Sequence, residues 1–163
     1  MPRDNTVAVK WLHRAAEQGY VPAVNRLGRH YERGDGVRRD YAEALRLYRE
    51  AAEHGSTDGM RNLGSIYENG NGVPQHYGEA SKWYLKSAEL GDELAMWLIG
   101  RMYEEGKGVP KDYVRAHMWY NLAAMQGDPL PAKERNRLAG QMTPAQVAQA
   151  QEMARNWESK ASQ

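Results

Sequence analysis

Of the residues in this chain, three Gly-x-Gly turns most closely match the types and spacing found in a ligand-binding site. Such turns can cradle a phosphate, as they do in nucleotide-binding loops. The three segments, 31–44, 67–80 and 103–116, read YERGDGVRRDYAEA, YENGNGVPQHYGEA and YEEGKGVPKDYVRA. A Walker loop also needs a strand in front and Lys-Ser/Thr behind, and Gly106-Lys107-Gly108 has neither. Three copies therefore favour an architectural role: each pair ends one helix and reverses the chain.

Other catalytic patterns are weak. The chain has no HExxH, GxSxG or DxDxDG pattern and no cysteine nucleophile. Its five histidines occupy unrelated positions without metal-ligand spacing. Adjacent acids such as Glu104 and Glu105 do not face each other on a helix, so we expect both to be solvated. The sequence predicts no catalytic residue, no metal and no cofactor.

The turns belong to a tandem repeat. Gly34, Gly70 and Gly106 are 36 residues apart, and aligning 21–56, 57–92 and 93–128 leaves 11 of 36 positions identical. These positions are, in the first copy, Gly28, Tyr31, Glu32, Gly34, Gly36, Val37, Tyr41, Ala44, Tyr48, Ala52 and Gly55. A repeat of this length buries its apolar face only against neighbouring copies, which indicates an elongated stack.

Each copy contains two stretches of helical period. Apolar residues at offsets of three and four predict helix A at about 22–33 and helix B at about 40–54. Gly34 falls just past helix A, where a residue in the left-handed conformation commonly ends a helix. We expect the Val37 side chain to pack beneath the turn. Asp40 with Glu43 has the spacing of a capping box at the start of helix B.

The motif LG-x-x-Y-x-x-G-x-GV-x-x-D-Y-x-x-A, followed by WY-x-x-AA-x-x-G, closely resembles the Sel1-like repeat, a relative of the tetratricopeptide repeat. The resemblance covers residues 4–128. Departures are Leu47 for Trp, His76 for the capping Asp and Ser87 for Ala. It implies an all-α, right-handed α/α superhelical solenoid that serves as a scaffold for protein complexes, commonly in bacteria. Some members have a cysteine pair in each repeat; without one, this chain must be stabilised by packing.

We expect one solenoid domain, 1–163, of about eight helices. It comprises a partial repeat with helix B only (1–20), full repeats at 21–56, 57–92 and 93–128, and a degenerate repeat with a capping helix (129–163). The capping helix is expected at about 144–159, with Thr143 as N-cap and Gln146 completing a capping box.

The abrupt start has two explanations. Either the chain is cut from a longer repeat array, which we favour, or its lone first helix is a natural cap. The residues expected to face the next repeat are Ala8, Trp11, Leu12 and Ala15, and those expected to face water are Lys10, Arg14 and Glu17.

The resemblance also places a binding surface. By analogy with tetratricopeptide arrays, ligands lie along the concave wall formed by helix A. The inward positions are Asn25, Arg61 and Trp97, with Arg29, Ser65 and Arg101 one turn later. They could clamp a carboxylate or acidic peptide, with Trp97 as an apolar anchor. The alternative is a solvated face with local pairs such as Arg29–Glu32 or Arg101–Glu105.

A ladder of tyrosines has two interpretations. Tyr31, Tyr67 and Tyr103 could form a stacking platform for sugars or bases, but they share the face of Leu27, Leu63 and Ile99. We therefore favour core.

As function, we predict a non-enzymatic scaffold that binds a peptide or protein partner. The rivals are a β-lactam-binding or hydrolysing enzyme, as the resemblance to Cys-rich relatives suggests, and a carbohydrate-binding module. A net charge of +1 spread evenly argues against nucleic acid, and no apolar run suits a membrane span. We expect no signal peptide, which leaves the cytoplasm, or the periplasm if the chain is part of a longer exported protein. Oligomeric state is left open.

Overall fold

A computed structural model describes residues 5–125 and 127–161, and over these residues the chain is all-α, as predicted. The helices are α1 (Asn5–Glu17), α2 (Val21–Arg33), α3 (Tyr41–Glu53), α4 (Thr57–Asn69), α5 (Tyr77–Glu89), α6 (Glu93–Glu105), α7 (Tyr113–Ala124), α8 (Pro129–Ala139) and α9 (Pro144–Ala161). Nine helices in the described ranges exceed the expected eight by α8, because the degenerate repeat also forms a helix. Asp128 caps α8 by accepting the Leu130 N–H, and Pro129 opens it. Of the predicted terminal segments, residues 1–4 and 162–163 lie outside the described residues.

The chain divides into two compact units, Met1–Ser87 and Ala88–Gln163. In the first unit, α2 packs on α1 and α3, and α3 packs on α4. In the second, α7 packs on α6, α8 and α9. Trp119 of α7 meets Trp157 of α9 edge to face, with ring centroids 5.0 Å apart. A helix is thus present where one was expected at about 144–159, and it buries Ala150 and Ala154.

The glycine pairs have a structural role. Gly34, Gly70 and Gly106 end the A helices at φ of 76°, 72° and 70°, in the left-handed region that favours glycine. The second glycine permits close packing, because a Cβ on Gly36 would lie 2.4 Å from the backbone carbon of Asn5. Val37 packs against the buried cluster beneath the turn, as predicted.

Helix B is capped mostly as expected. Asp40 accepts hydrogen bonds of 3.0 Å from the N–H groups of Ala42 and Glu43. The reciprocal half of the predicted box is wrong: the Asp40 N–H donates to the Tyr31 carbonyl, and Glu43 instead binds Arg46. An exposed arginine one turn away is the stronger partner for that carboxylate.

Two further caps follow from the sequence. His76, which replaces the capping Asp, accepts the Glu79 N–H at Nδ1 over 3.0 Å. The imidazole nitrogen thus takes the place of the usual aspartate oxygen as the acceptor. At α9 both halves of the predicted box form: Thr143 N–H donates to Gln146 Oε1, and Gln146 N–H donates to Thr143 Oγ1.

A buried tyrosine of helix B organises each repeat. Tyr48, Tyr84 and Tyr120 are 0%, 1% and 1% exposed. Their rings lie against Gly28, Gly64 and Gly100, where a Cβ would come within 2.7, 2.6 and 2.9 Å of ring carbons. Their hydroxyls donate to Glu32, Glu68 and Glu104 at 2.7, 2.8 and 2.9 Å. Burial, together with the bond to Glu32, raises the pKa of Tyr48 well above its ordinary value, so the phenol stays a donor.

The first helix departs from expectation. Trp11 is 63% exposed and Ala8 is also exposed, so their predicted burial against the next repeat is wrong. Instead Val9 is buried there, and Leu12 and Ala16 pack beside it. Trp11 holds the repeat position that Leu47 holds in the next copy. Leu47 is buried in a cluster with residues of both α1 and α2, whereas α1 packs mainly on α2. Lys10, Arg14 and Glu17 face water, as predicted.

His117 gives the stability a pH dependence. The side chain is 2% exposed, and within the described residues its Nδ1 has no hydrogen-bond partner. Burial, with a smaller contribution from Arg135, lowers the pKa of His117 below 6.5. The folded state therefore resists a proton that the unfolded chain accepts near pH 6.5, and stability falls as pH drops through that value.

We expect the free energy of unfolding to fall more between pH 7 and pH 5 for the natural chain than for His117→Leu. Leucine is a fair substitute because Leu45 holds the same position in the first repeat. Urea denaturation of both proteins at the two pH values measures the difference. Equal losses would show that His117 titrates alike in the folded and unfolded states.

Candidate functional site

The six residues predicted to bind a partner all lie on A helices. Asn25 and Arg29 are on α2, and Arg61 and Ser65 are on α4, all in the first unit. Trp97 and Arg101 are on α6 in the second unit. In each helix the two residues are four apart, so they lie on the same face one turn apart.

Asn25 was expected to be exposed, but the structure buries it. It is 6% exposed, and its Oδ1 accepts a 2.8 Å hydrogen bond from Asn62 Nδ2. A buried amide needs a partner, and this pair joins α2 to α4. Asn25 therefore contributes to packing between two A helices and offers little surface to a ligand. Alignment of the repeats could not reveal this pair, because Asn62 lies one position away from the equivalent of Asn25, which is Arg61.

Arg29 and Arg61, the two predicted binding arginines of the first unit, differ in exposure and in their ion pairs. Arg29 is exposed, and the local pair with Glu32 does not form, because Glu32 accepts the Tyr48 hydroxyl. Arg61 is half-buried and forms an ion pair with Asp58. Ser65, also half-buried, accepts the Asn69 side-chain amide at 3.1 Å. Of these side chains, Arg29 is the one whose charge is open to a ligand.

In the second unit, Trp97 and Arg101 form a stacked pair. Trp97 is partly buried, and the Arg101 guanidinium lies 5.4 Å from its ring centroid. The Trp97 Nε1 is buried, and within the described residues it has no hydrogen-bond acceptor. Glu93, one turn earlier, likewise has a buried Oε1 without a donor there. A buried polar atom without a partner costs free energy, so the indole N–H itself adds nothing to the stability of the fold.

The tyrosine ladder divides between core and partial burial. Tyr103 is 7% exposed and belongs to the core, as we favoured. Tyr31 and Tyr67 are half-buried and pack against the apolar clusters. Their hydroxyls already have partners: Tyr31 lies 3.2 Å from His13 Nε2, and Tyr67 accepts from Arg49 at 3.3 Å. These rings are held by protein contacts rather than arranged as an open stacking platform.

Sequence reasoning missed a group of basic residues on α2. Arg26, His30 and Arg33 line an open cleft together with Arg29. The signal was present as cationic residues spaced by three, four and seven positions. The six predicted binding residues were placed by analogy with tetratricopeptide arrays, and Arg26, His30 and Arg33 lie at other positions of the repeat.

The geometry defines a class of protein: an array of helix-turn-helix repeats, each built on a tyrosine of helix B packed over a glycine of helix A. The Sel1 repeat model matches residues 1–20, 21–56, 57–92 and 94–128, so the chain belongs to the Sel1 repeat family. Sel1 repeat proteins are generally non-enzymatic scaffolds that bind other proteins. No curated protein matches the chain.

Solved structures of bacterial proteins share the fold, an α-helical repeat solenoid. The antigen c5321 of uropathogenic Escherichia coli, described as a protective antigen with an SLR fold, is 44% identical at a TM-score of 0.75, over 79% of this chain and 28% of its own. A Sel1 repeat protein from Oxalobacter formigenes is 32% identical at 0.77, over 93% and 64%. Cysteine-rich protein B of Helicobacter pylori is 27% identical at 0.61, over 77% and 95%. The chain thus spans about a quarter of the first relative and under two thirds of the second.

None of the helices described here is both long and apolar enough to cross a bilayer.

Proposed function

We propose that this chain is a non-enzymatic adaptor that binds a peptide or protein partner through the A helices. Trp97 serves as the apolar anchor and Arg101 as its charged neighbour. In the first unit, Arg29 is the candidate residue whose charge is open to a carboxylate of a partner.

The observation that carries the proposal is the setting of Trp97. The equivalent positions in the other copies are the polar Asn25 and Arg61, so packing between repeats does not require an indole there. The ring is nonetheless partly exposed beneath Arg101. Tryptophan and arginine are the side chains most enriched among residues that dominate binding energy, because they bury large areas and still form polar contacts. A partly exposed pair of this kind suits a binding surface better than a core.

The test is affinity capture with the purified chain from a lysate of the organism that encodes it, followed by mass spectrometry. We expect a specific protein that forms a defined complex with the chain when both are purified and mixed. Incubation with a chromogenic β-lactam runs in parallel. Turnover of the lactam above background, without a protein complex, would contradict the proposal and favour the enzyme.

A further inference from the structure

An open cleft of about 510 Å³ lies between the start of α1 and the C-terminal half of α2, within the first unit. Most of the polar side chains on its wall are basic. The lining includes Arg26, Arg29, His30 and Arg33, and also Asn5 and Asp35. His30 is fixed in place, because its Nδ1–H donates to the Asp35 carbonyl at 2.7 Å.

The arginines of this cleft differ from others in the chain. Arg46 binds Glu43 and Glu50, and Arg137 binds Glu104 and Glu134. By contrast, Arg26, Arg29 and Arg33 form no ion pair or hydrogen bond with any group in residues 5–125 and 127–161. Glu32, the acid nearest in sequence to all three, accepts the Tyr48 hydroxyl instead. Three guanidiniums therefore line one cleft, and none of them forms an ion pair with a described carboxylate, although Asp35 lies on the same wall.

Their spacing suits an extended acidic chain. Residues 26, 29 and 33 lie on one face of α2, and they span about 10 Å along the helix. In an extended peptide, side chains on one side recur roughly every 7 Å. Two carboxylates on that side can thus each meet a guanidinium, which binds a carboxylate through two parallel N–H···O bonds.

The repeat itself does not require these arginines. The corresponding residues are Asn62, Ser65 and Asn69 in the second copy and Leu98, Arg101 and Glu105 in the third. Both copies form the same helix A without the triple charge. The cluster is therefore a local property of the first copy, which is what a binding site grafted on a repeat would show.

We propose that this cleft binds an acidic segment, rich in Asp and Glu, of a protein partner. The proposal rests on the proposed adaptor function and names the chemistry of what is bound in the first unit. A nucleic acid is disfavoured, because the chain has a net charge of only +1 and Asp35 lies on the cleft wall.

The test measures binding of a fluorescein-labelled hexaglutamate peptide by fluorescence anisotropy at low salt. The test variant is Arg26→Glu/Arg33→Glu, which leaves Arg29 in place. The control is Lys133→Glu/Arg155→Glu, which makes the same change in net charge at exposed residues of the second unit. We expect the test variant to weaken binding by about tenfold or more and the control by less than about threefold, because short-range contacts outweigh screened charge.

Equal weakening by both variants would overturn the proposal, since it would mean general attraction to a charged protein. So would a 12-nucleotide single-stranded DNA that binds as tightly as the peptide, or a hexaglutamine peptide that binds equally well. Circular dichroism of both variants checks that α2 remains folded. A partner captured equally well by the test variant and the natural chain would refute this inference and leave the adaptor function standing.

Discussion

Tyr84→Ala is expected to lower the free energy of unfolding by about 3–5 kcal/mol, the usual cost of removing a large aromatic side chain from a core. Tyr84 is 1% exposed, its ring fills the space above Gly64, and its hydroxyl donates to Glu68. The small residue beneath the ring cannot expand to fill the cavity. Urea denaturation followed by circular dichroism measures the loss.

Two variants separate the contributions of Tyr84. Tyr84→Phe keeps the ring and removes the hydroxyl, so it should cost about 1 kcal/mol, in line with a single net hydrogen bond. Tyr20→Ala is the control, because Tyr20 is 61% exposed and should change stability by less than about 0.5 kcal/mol. If Tyr84→Ala cost no more than Tyr20→Ala, the packing of the tyrosine ring on the helix A glycine would not be a main source of the repeat's stability.

Tyr103→Ala should likewise cost about 3–5 kcal/mol, whereas Trp97→Ala should cost about 1 kcal/mol or less, despite the larger side chain. Tyr103 is buried to 7% exposure, with the Arg115 guanidinium 5.5 Å from its ring centroid. Trp97 is partly exposed, and its truncation also removes a buried N–H that has no acceptor among the described residues. Both losses come from denaturation of the two variants beside the natural chain.

A Trp97→Ala protein that unfolds as readily as Tyr103→Ala would show that the indole is core. The binding surface would then depend on arginines alone. The two residues lie on the same helix, so effects on the helix as a whole are matched between the variants.

The repeat was predictable because its signals are local. Gly34 ends α2, Asp40 caps α3, and the apolar spacing set the helix bounds to within a residue or so. These features depend on backbone conformation and on neighbours within one turn, which the sequence displays directly.

What could not be predicted depends on contacts between helices. Asn25 is buried because Asn62, 37 residues away, completes its hydrogen bond. Trp11 is exposed because α1 packs mainly on α2, whereas Leu47, the equivalent residue of the next repeat, is buried. The charge of the basic cleft depends on the fact that Arg26, Arg29 and Arg33 form no ion pair with a described residue, and spacing along one helix does not reveal that.

We expect Trp97 to anchor the protein partner. Isothermal titration calorimetry of the captured partner with the natural chain and with Trp97→Ala measures this contribution. Trp11→Ala is the matched control, because Trp11 is a more exposed indole that also lies beside an arginine, with Arg14 5.1 Å from its ring centroid. We predict that Trp97→Ala weakens binding by roughly 30-fold, the loss of a residue that contributes about 2 kcal/mol, and that Trp11→Ala leaves it unchanged. Equal affinities of the natural chain and Trp97→Ala would contradict the claim.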